Sequence, residues 1–241
     1  MTNNFVIEYE EIKEIDFRQA SIYLDACFIL SYLDSDDIRG DKVAEIFSKW
    51  EQDGVKCIAI SNMVVTEVIH NLFKNHIRNV LTIANSVIKN PTYPLSHKDL
   101  YEIGNIETAK RLHSLVPKKR IEKLVQTGEL IYPIEQLMKD FKLQFPQHRD
   151  YLKHYYKNSV QIYSTFEEQI GFRIITPYSD ETTQHHALNH FKYFQLGPAD
   201  AIHLALTTQH EINYFATLDS DFVHTYYTEE SIGIVRILKV A

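Results

Sequence analysis

The sequence predicts an α/β fold with a mainly parallel sheet, interrupted by an all-helical insertion. Three observations lead there. Short β-type runs alternate with helical patterns at both ends of the chain, as parallel strands joined by crossover helices do. From Pro91 to about Tyr163 only helical spacing occurs, punctuated by Pro91, Pro94, Pro117, Pro133 and Pro146. The 241 residues are 44% hydrophobic and 24% charged with seven Gly and seven Pro, which excludes disordered and fibrous chains.

Taken in order, Ser21 to Leu24 (SIYL) is a short strand ending at Asp25, and FILSYL continues as a helix. Asp36 and Asp37 are expected to open a second helix through Val43, Ile46, Phe47 and Trp50, which Asp53-Gly54 ends. Lys56 to Ile60 is the next strand. Ser61-Asn62 then caps a long amphipathic helix, because their side chains accept from the first free N–H groups. Its apolar positions, from Val64 through Val68, Leu72 and Ile77 to Ala84, recur at helical spacing. Strands return at 172–176, 214–218 and 232–238, with helices around 181–194 and behind Pro198, a residue suited to a helix's first turn.

The front of the chain has no apolar run approaching a membrane span, and its acidic start, MTNNFVIEYEEIKEID, lacks the pattern of a secretion signal. Cys27 and Cys57 stand thirty positions apart without CxxC spacing, so two reduced thiols in a cytoplasmic protein are expected.

The chemistry-bearing positions are carboxylates. Asp25 and Asp219 each close a strand, and the carboxyl ends of parallel strands are where ligands bind. Asp200 lies in a helix's first turn within PADAIHLAL, and Glu67 lies within two turns of a helix start in VVTEVI. One at a time, each is explained as a cap or a dipole partner. Flanked by core residues, however, a carboxylate is costly to bury unless paired or metal-bound. Four converging carboxylates call for a hard divalent cation, Mg²⁺ or Mn²⁺. Such an ion acidifies bound water and stabilises charge on phosphoryl oxygens. Ser61 and Thr217 precede the carboxylate region and could orient its ligands, although capping and strand propensity explain them equally well. His185, His186 and His190 include an i,i+4 pair, but without HExxH or a nearby cysteine a zinc site has little support. His203 reads as a residue that packs or hydrogen-bonds locally rather than as a base. No Gly-rich phosphate loop or GxSxG elbow occurs.

SIYLDACFILSYL, SNMVVTEVIHNLF, LGPADAIHLAL and FATLDSDF occur in this order, and together they resemble the PIN-domain family of metal-dependent ribonucleases. That family includes the toxins of many bacterial toxin–antitoxin pairs. The resemblance implies a three-layer α/β/α fold around a parallel sheet and an acidic cluster holding Mg²⁺ or Mn²⁺. Residue by residue, it assigns catalysis and metal binding to Asp25, Glu67, Asp200 and Asp219, with Asp221 the alternative for the last acid. An RNA substrate, an antitoxin protein and a homodimer are the partners it implies, with no membrane. The match covers residues 20–75 and 172–240, leaving an N-terminal extension, 1–19, and a helical insertion, 76–171. Ala26 and Cys27 replace the hydroxyl residue and Asn usual after the first acid, so a hydrogen bond to the site is expected to be missing. A catalytically weak RNA-binding or assembly module and a structure-specific DNA nuclease are the alternatives.

Net charge is −7, which taken whole argues against a nucleic-acid partner. Residues 71–160, however, hold fifteen Lys and Arg against eight Asp and Glu, net +7. The remaining residues hold ten against twenty-four, net −14. Lys110, Arg111, Lys118, Lys119, Arg120 and Lys123 could contact phosphates. Arg149, Lys153 and Lys157 interleave with aromatics in HRDYLKHYYK, as in single-strand binders.

Overall fold

The structure, a computed structural model, describes residues 5–240. The first four residues of the expected N-terminal extension thus lie outside the described residues. The chain divides into two compact units, residues 1–68 with 166–241 and residues 69–165.

The first unit begins with β1 (Val6–Glu8), α1 (Tyr9–Ile12), β2 (Ile22–Leu24), α2 (Ala26–Leu33), α3 (Gly40–Asp53), β3 (Cys57–Ala59) and the start of α4 (Asn62–Lys89). Within the second unit follow α5 (His97–Ile103), α6 (Ile106–Leu115), α7 (Lys118–Thr127), α8 (Ile134–Gln144), a 3₁₀ turn (Pro146–Tyr151) and most of α9 (Leu152–Gln169). The first unit resumes with β4 (Arg173–Ile175), α10 (Glu181–Phe194), α11 (Pro198–Gln209), β5 (Tyr214–Thr217), a 3₁₀ turn (Ser220–Phe222), α12 (Glu229–Ile232) and β6 (Arg236–Lys239).

The fold class is α/β. All six strands form one sheet in the order β1-β6-β5-β2-β3-β4, and every pairing is parallel. From β2 the chain moves outward to β3 and β4; from β5 it moves the other way, to β6. The order therefore reverses between β2 and β5, and a crevice at the carboxyl ends of such a strand pair is the preferred ligand position in an open α/β sheet.

Sequence patterns translate directly into several of these elements. The helix α3 stops where Gly54 adopts φ +80°, a left-handed cap that costs glycine little. Pro117 and Pro133 sit at the starts of α7 and α8, and Pro146 opens the 3₁₀ turn. Two expectations need correction. Asp36 and Asp37 do not open α3, which begins at Gly40; instead Asp37 accepts from the Arg39 backbone N–H and pairs with its guanidinium, holding the chain in a turn. Only the second half of 232–238 is strand, because Thr228 caps α12 and carries helix through Ile232.

In the first unit, Trp50 stacks on Phe28 at 5.6 Å and meets Phe17 and Phe47 edge-on. Tyr23 stacks on Phe215 across the central strand pair. The second unit has its own core, in which Ile77, Leu81, Leu112, Leu137, Phe141 and Tyr155 are buried together. Both Cys27 and Cys57 are free thiols. No helix among the described residues is long and apolar enough to cross a membrane.

Candidate functional site

The site grows from the central strand pair. Leu24 of β2 lies opposite Ala216 of β5, and the Asp25 N–H donates to the Ala216 carbonyl at 3.1 Å. Asp25 is the N-cap of α2: one carboxylate oxygen accepts from the Ala26 N–H at 2.7 Å. Its other oxygen accepts from the Thr217 hydroxyl at 2.8 Å and the Cys27 thiol at 2.9 Å. With 5% exposure, Asp25 keeps its place through these bonds, since a buried carboxylate needs such partners.

Thr217, fully buried at the end of β5, serves two acids. Its hydroxyl donates to Asp25 and accepts from the Asp219 N–H at 2.9 Å. Asp219 in turn caps the following 3₁₀ turn, accepting from the Asp221 N–H. Asp221 itself is exposed. The missing hydrogen bond expected after Asp25 is thus present by another route. The Cys27 thiol donates to Asp25 and accepts from the Leu218 N–H at 3.2 Å, tying α2 to the end of β5. Burial and the adjacent Asp25 carboxylate push the thiol's pKa up, so it stays a donor.

Asp200 occupies the first turn of α11, where the unpaired N–H groups favour negative charge. Its carboxyl is pushed up to about 6, first by burial and then by the charges of Asp219 and Asp25. His203 opposes this shift and Glu67 adds to it. Asp219, Asp25 and Glu67 thus each act electrostatically on Asp200. Among the described residues, however, no three His, Cys, Asp or Glu side chains stand close enough to grip one ion as placed. The donor set itself is all oxygen, which suits a hard divalent cation.

Glu67, exposed on α4, is reached through a buried relay. The Tyr23 hydroxyl lies 2.7 Å from the Ser61 hydroxyl and 2.8 Å from His203 Nδ1. His203 Nε2 lies 3.5 Å from Glu67 Oε2. Burial raises the Tyr23 pKa, keeping its proton available to this network. Ser61 also accepts from the Val64 N–H at the start of α4. Ser61 thus braces Tyr23 and the helix start, whereas Thr217 touches the carboxylate directly. The local hydrogen bonding expected of His203 is present, whereas Tyr23 carried no signal in the sequence beyond its place two positions before Asp25.

The basic candidates all lie in the second unit. Lys110 and Arg111 are on α6, Lys118, Lys119, Arg120 and Lys123 on α7, Arg149 in the 3₁₀ turn, and Lys153 and Lys157 on α9. Four are paired locally: Arg111 with Glu107, Lys118 with Glu122, Lys123 with Glu129 and Lys153 with Asp150. Lys119 and Arg120 are exposed and form no ion pair among the described residues. The interleaved aromatics divide. Tyr155 is core, Tyr156 stacks on Phe73 at 4.3 Å, and Tyr151 remains half exposed beside His148.

Compared with protein-family models, with curated proteins and with solved structures, the chain finds no match.

Proposed function

We propose that this chain is a divalent-metal-dependent phosphodiesterase that cleaves RNA, built on a PIN-like three-layer core. One observation carries the reading: Asp25 is locked at the carboxyl end of β2, at the sheet's reversal point, and it, Asp219 and Glu67 are each close enough to act electrostatically on Asp200. Like-charged carboxylates gathered together repel one another, and a bound cation is the ordinary compensation.

Asp25, Asp200 and Asp219 would hold Mg²⁺ or Mn²⁺, with Glu67 contributing directly or through water. When bound, such an ion stabilises charge on phosphoryl oxygens and lowers the pKa of water. The protein's own contribution is orientation. Thr217 and Cys27 fix the direction of Asp25, and the Tyr23–His203 pair reaches Glu67 from the buried side. The surplus cations of the second unit, Lys119 and Arg120 foremost, would neutralise backbone phosphates. Under the toxin reading, a protein antitoxin or a second copy of the chain would be a partner.

Separate Asp25→Asn and Asp200→Asn variants should each lose Mn²⁺-dependent cleavage of single-stranded RNA by at least a hundredfold while keeping a cooperative melt. Unchanged cleavage in both would refute the assignment. Salt-sensitive RNA binding with no product from the parent chain would identify a non-catalytic module instead. Equal cleavage of single-stranded DNA would move the substrate class to nucleic acid without ribose selection.

A further inference from the structure

A cavity of about 520 Å³ is walled by one face of α10 and by the start of α12. Its α10 wall is a run of planar rings one helical turn apart. His186 stacks on His190 at 29° between planes, and His190 on Phe194 at 26°. Tyr193 stands at the rim, 61% exposed, with the Lys192 ammonium 4.8 Å from its ring centre. Asn189 and Glu230 supply polar edges.

Its position follows from the chain. The helix α10 packs along α11, and three residues join its last turn to Pro198, two before Asp200. Phe194 also packs at 5.1 Å on His224, five residues beyond Asp219. The cavity therefore adjoins the elements that carry two of the acids.

Its chemistry is selective. No Lys or Arg lines it among the described residues, and Glu230 adds negative charge, so a phosphate would meet only imidazole, amide and hydroxyl donors beside an opposing carboxylate. One nitrogen of His190, Nε2, is engaged with the Ser231 carbonyl at 3.1 Å, and no metal-gripping trio occurs there. A planar ligand with hydrogen-bonding edges and no charge meets all of these conditions. The volume is that of a small-molecule site.

We infer that this cavity takes a nucleobase, with Tyr193 stacking on its face, Asn189 and Glu230 reading its amino and imino edges, and Lys192 left outside for the adjoining phosphate. A carboxylate accepts from base amino groups, and every base presents a π-face to an aromatic ring. The inference rests on the phosphodiesterase reading for its substrate, and names where a strand would leave one unpaired base.

The test measures binding, in EDTA, so that cleavage plays no part. Fluorescence anisotropy would compare a labelled single-stranded RNA with an abasic strand of equal length, using the parent chain, Tyr193→Ala and Glu230→Gln. Both side chains are exposed, so neither substitution removes core packing. Tyr193→Ala should weaken binding of the base-bearing strand about tenfold and leave the abasic strand unchanged. Equal affinities of parent and both variants for the base-bearing strand would overturn the pocket; cleavage lost only in Asp25→Asn would then still uphold the nuclease reading. Free nucleosides distinguish the source. If they bind the parent but not Tyr193→Ala while no strand binds, and none is cleaved when Mn²⁺ is added, the nucleobase site stands and the nuclease reading falls. If neither strand nor nucleoside binds, the pocket is overturned.

Discussion

Thr217 bonds the Asp25 carboxylate and the Asp219 backbone with one hydroxyl, which makes it the most informative single position outside the acids. Thr217→Val preserves shape but removes the donor to Asp25, which is buried, and the acceptor for the Asp219 N–H, which is part-buried. Unsatisfied buried groups cost about 1–3 kcal/mol, so the variant should melt several degrees lower. Thr217→Ser, which keeps the hydroxyl, should restore most of that loss, and thermal melts decide the comparison. Asp200 makes the opposite prediction. Its folded carboxyl holds a proton up to about pH 6, against 3.8 ordinarily. The native state therefore binds more protons between these values. The associated stability is fully present below about pH 4 and is lost as pH rises through 6. In EDTA, Asp200→Asn should melt about 2–4 °C above the parent at pH 7.5 and match it near pH 4. A lower melt at pH 7.5 would contradict the arrangement. The four acids were legible because each stands at a strand end or near a helix start within its own local motif. Cys27 was not, because the group that gives it a role, the Leu218 N–H, lies 191 residues away.

At the scale of elements, the junction of α10 and α11 is the sensitive one. Gly197, the N-cap of α11, has φ −57° and ψ 157°, open to any residue. A Cβ there would come within 2.8 Å of Asp200 Oδ2. Gly197→Ala should thus leave the melting temperature unchanged or slightly raised, since it restricts the unfolded chain. It should also cut metal-dependent cleavage about tenfold by turning the Asp200 carboxylate away. Equal rates for parent and variant would show that Asp200 has room to spare. Long helices and the central strands were readable from periodicity and caps, and their alternation gave a mainly parallel sheet, which proves parallel throughout. By contrast, β1 is three residues, VIE, too short to show a period, and it is strand because β6 offers an edge. The same shortness hid α12, whose four residues depend on the Thr228 cap.

For the whole molecule, the net charge of −7 conceals two oppositely charged parts, and salt dependence separates them. If the basic unit contacts phosphates, the logarithm of RNA affinity should fall linearly with the logarithm of salt concentration, by about 0.7 per contact. Replacing Lys119 and Arg120 together with Ala should reduce that slope by about 1.4 and weaken all sequences alike. An unchanged slope would assign the contacts elsewhere. Pairing of Arg111, Lys118, Lys123 and Lys153 could not be foreseen from their number alone, because their carboxylate partners depend on helix register.

The hydrogen bond from Thr217 to Asp25 joins residues 192 positions apart, and β5 lies directly against β2. During synthesis, Asp25 leaves the ribosome long before either Thr217 or Asp219 has been made. The second unit, with its own buried core, can fold in that interval. The first unit has to wait with β2 lacking its central neighbour. A nascent chain therefore carries the basic surface before it carries the acidic centre. On the proposed nuclease reading, cleavage could begin only after the polypeptide is almost complete, because the acidic centre needs β5 and the residues after it.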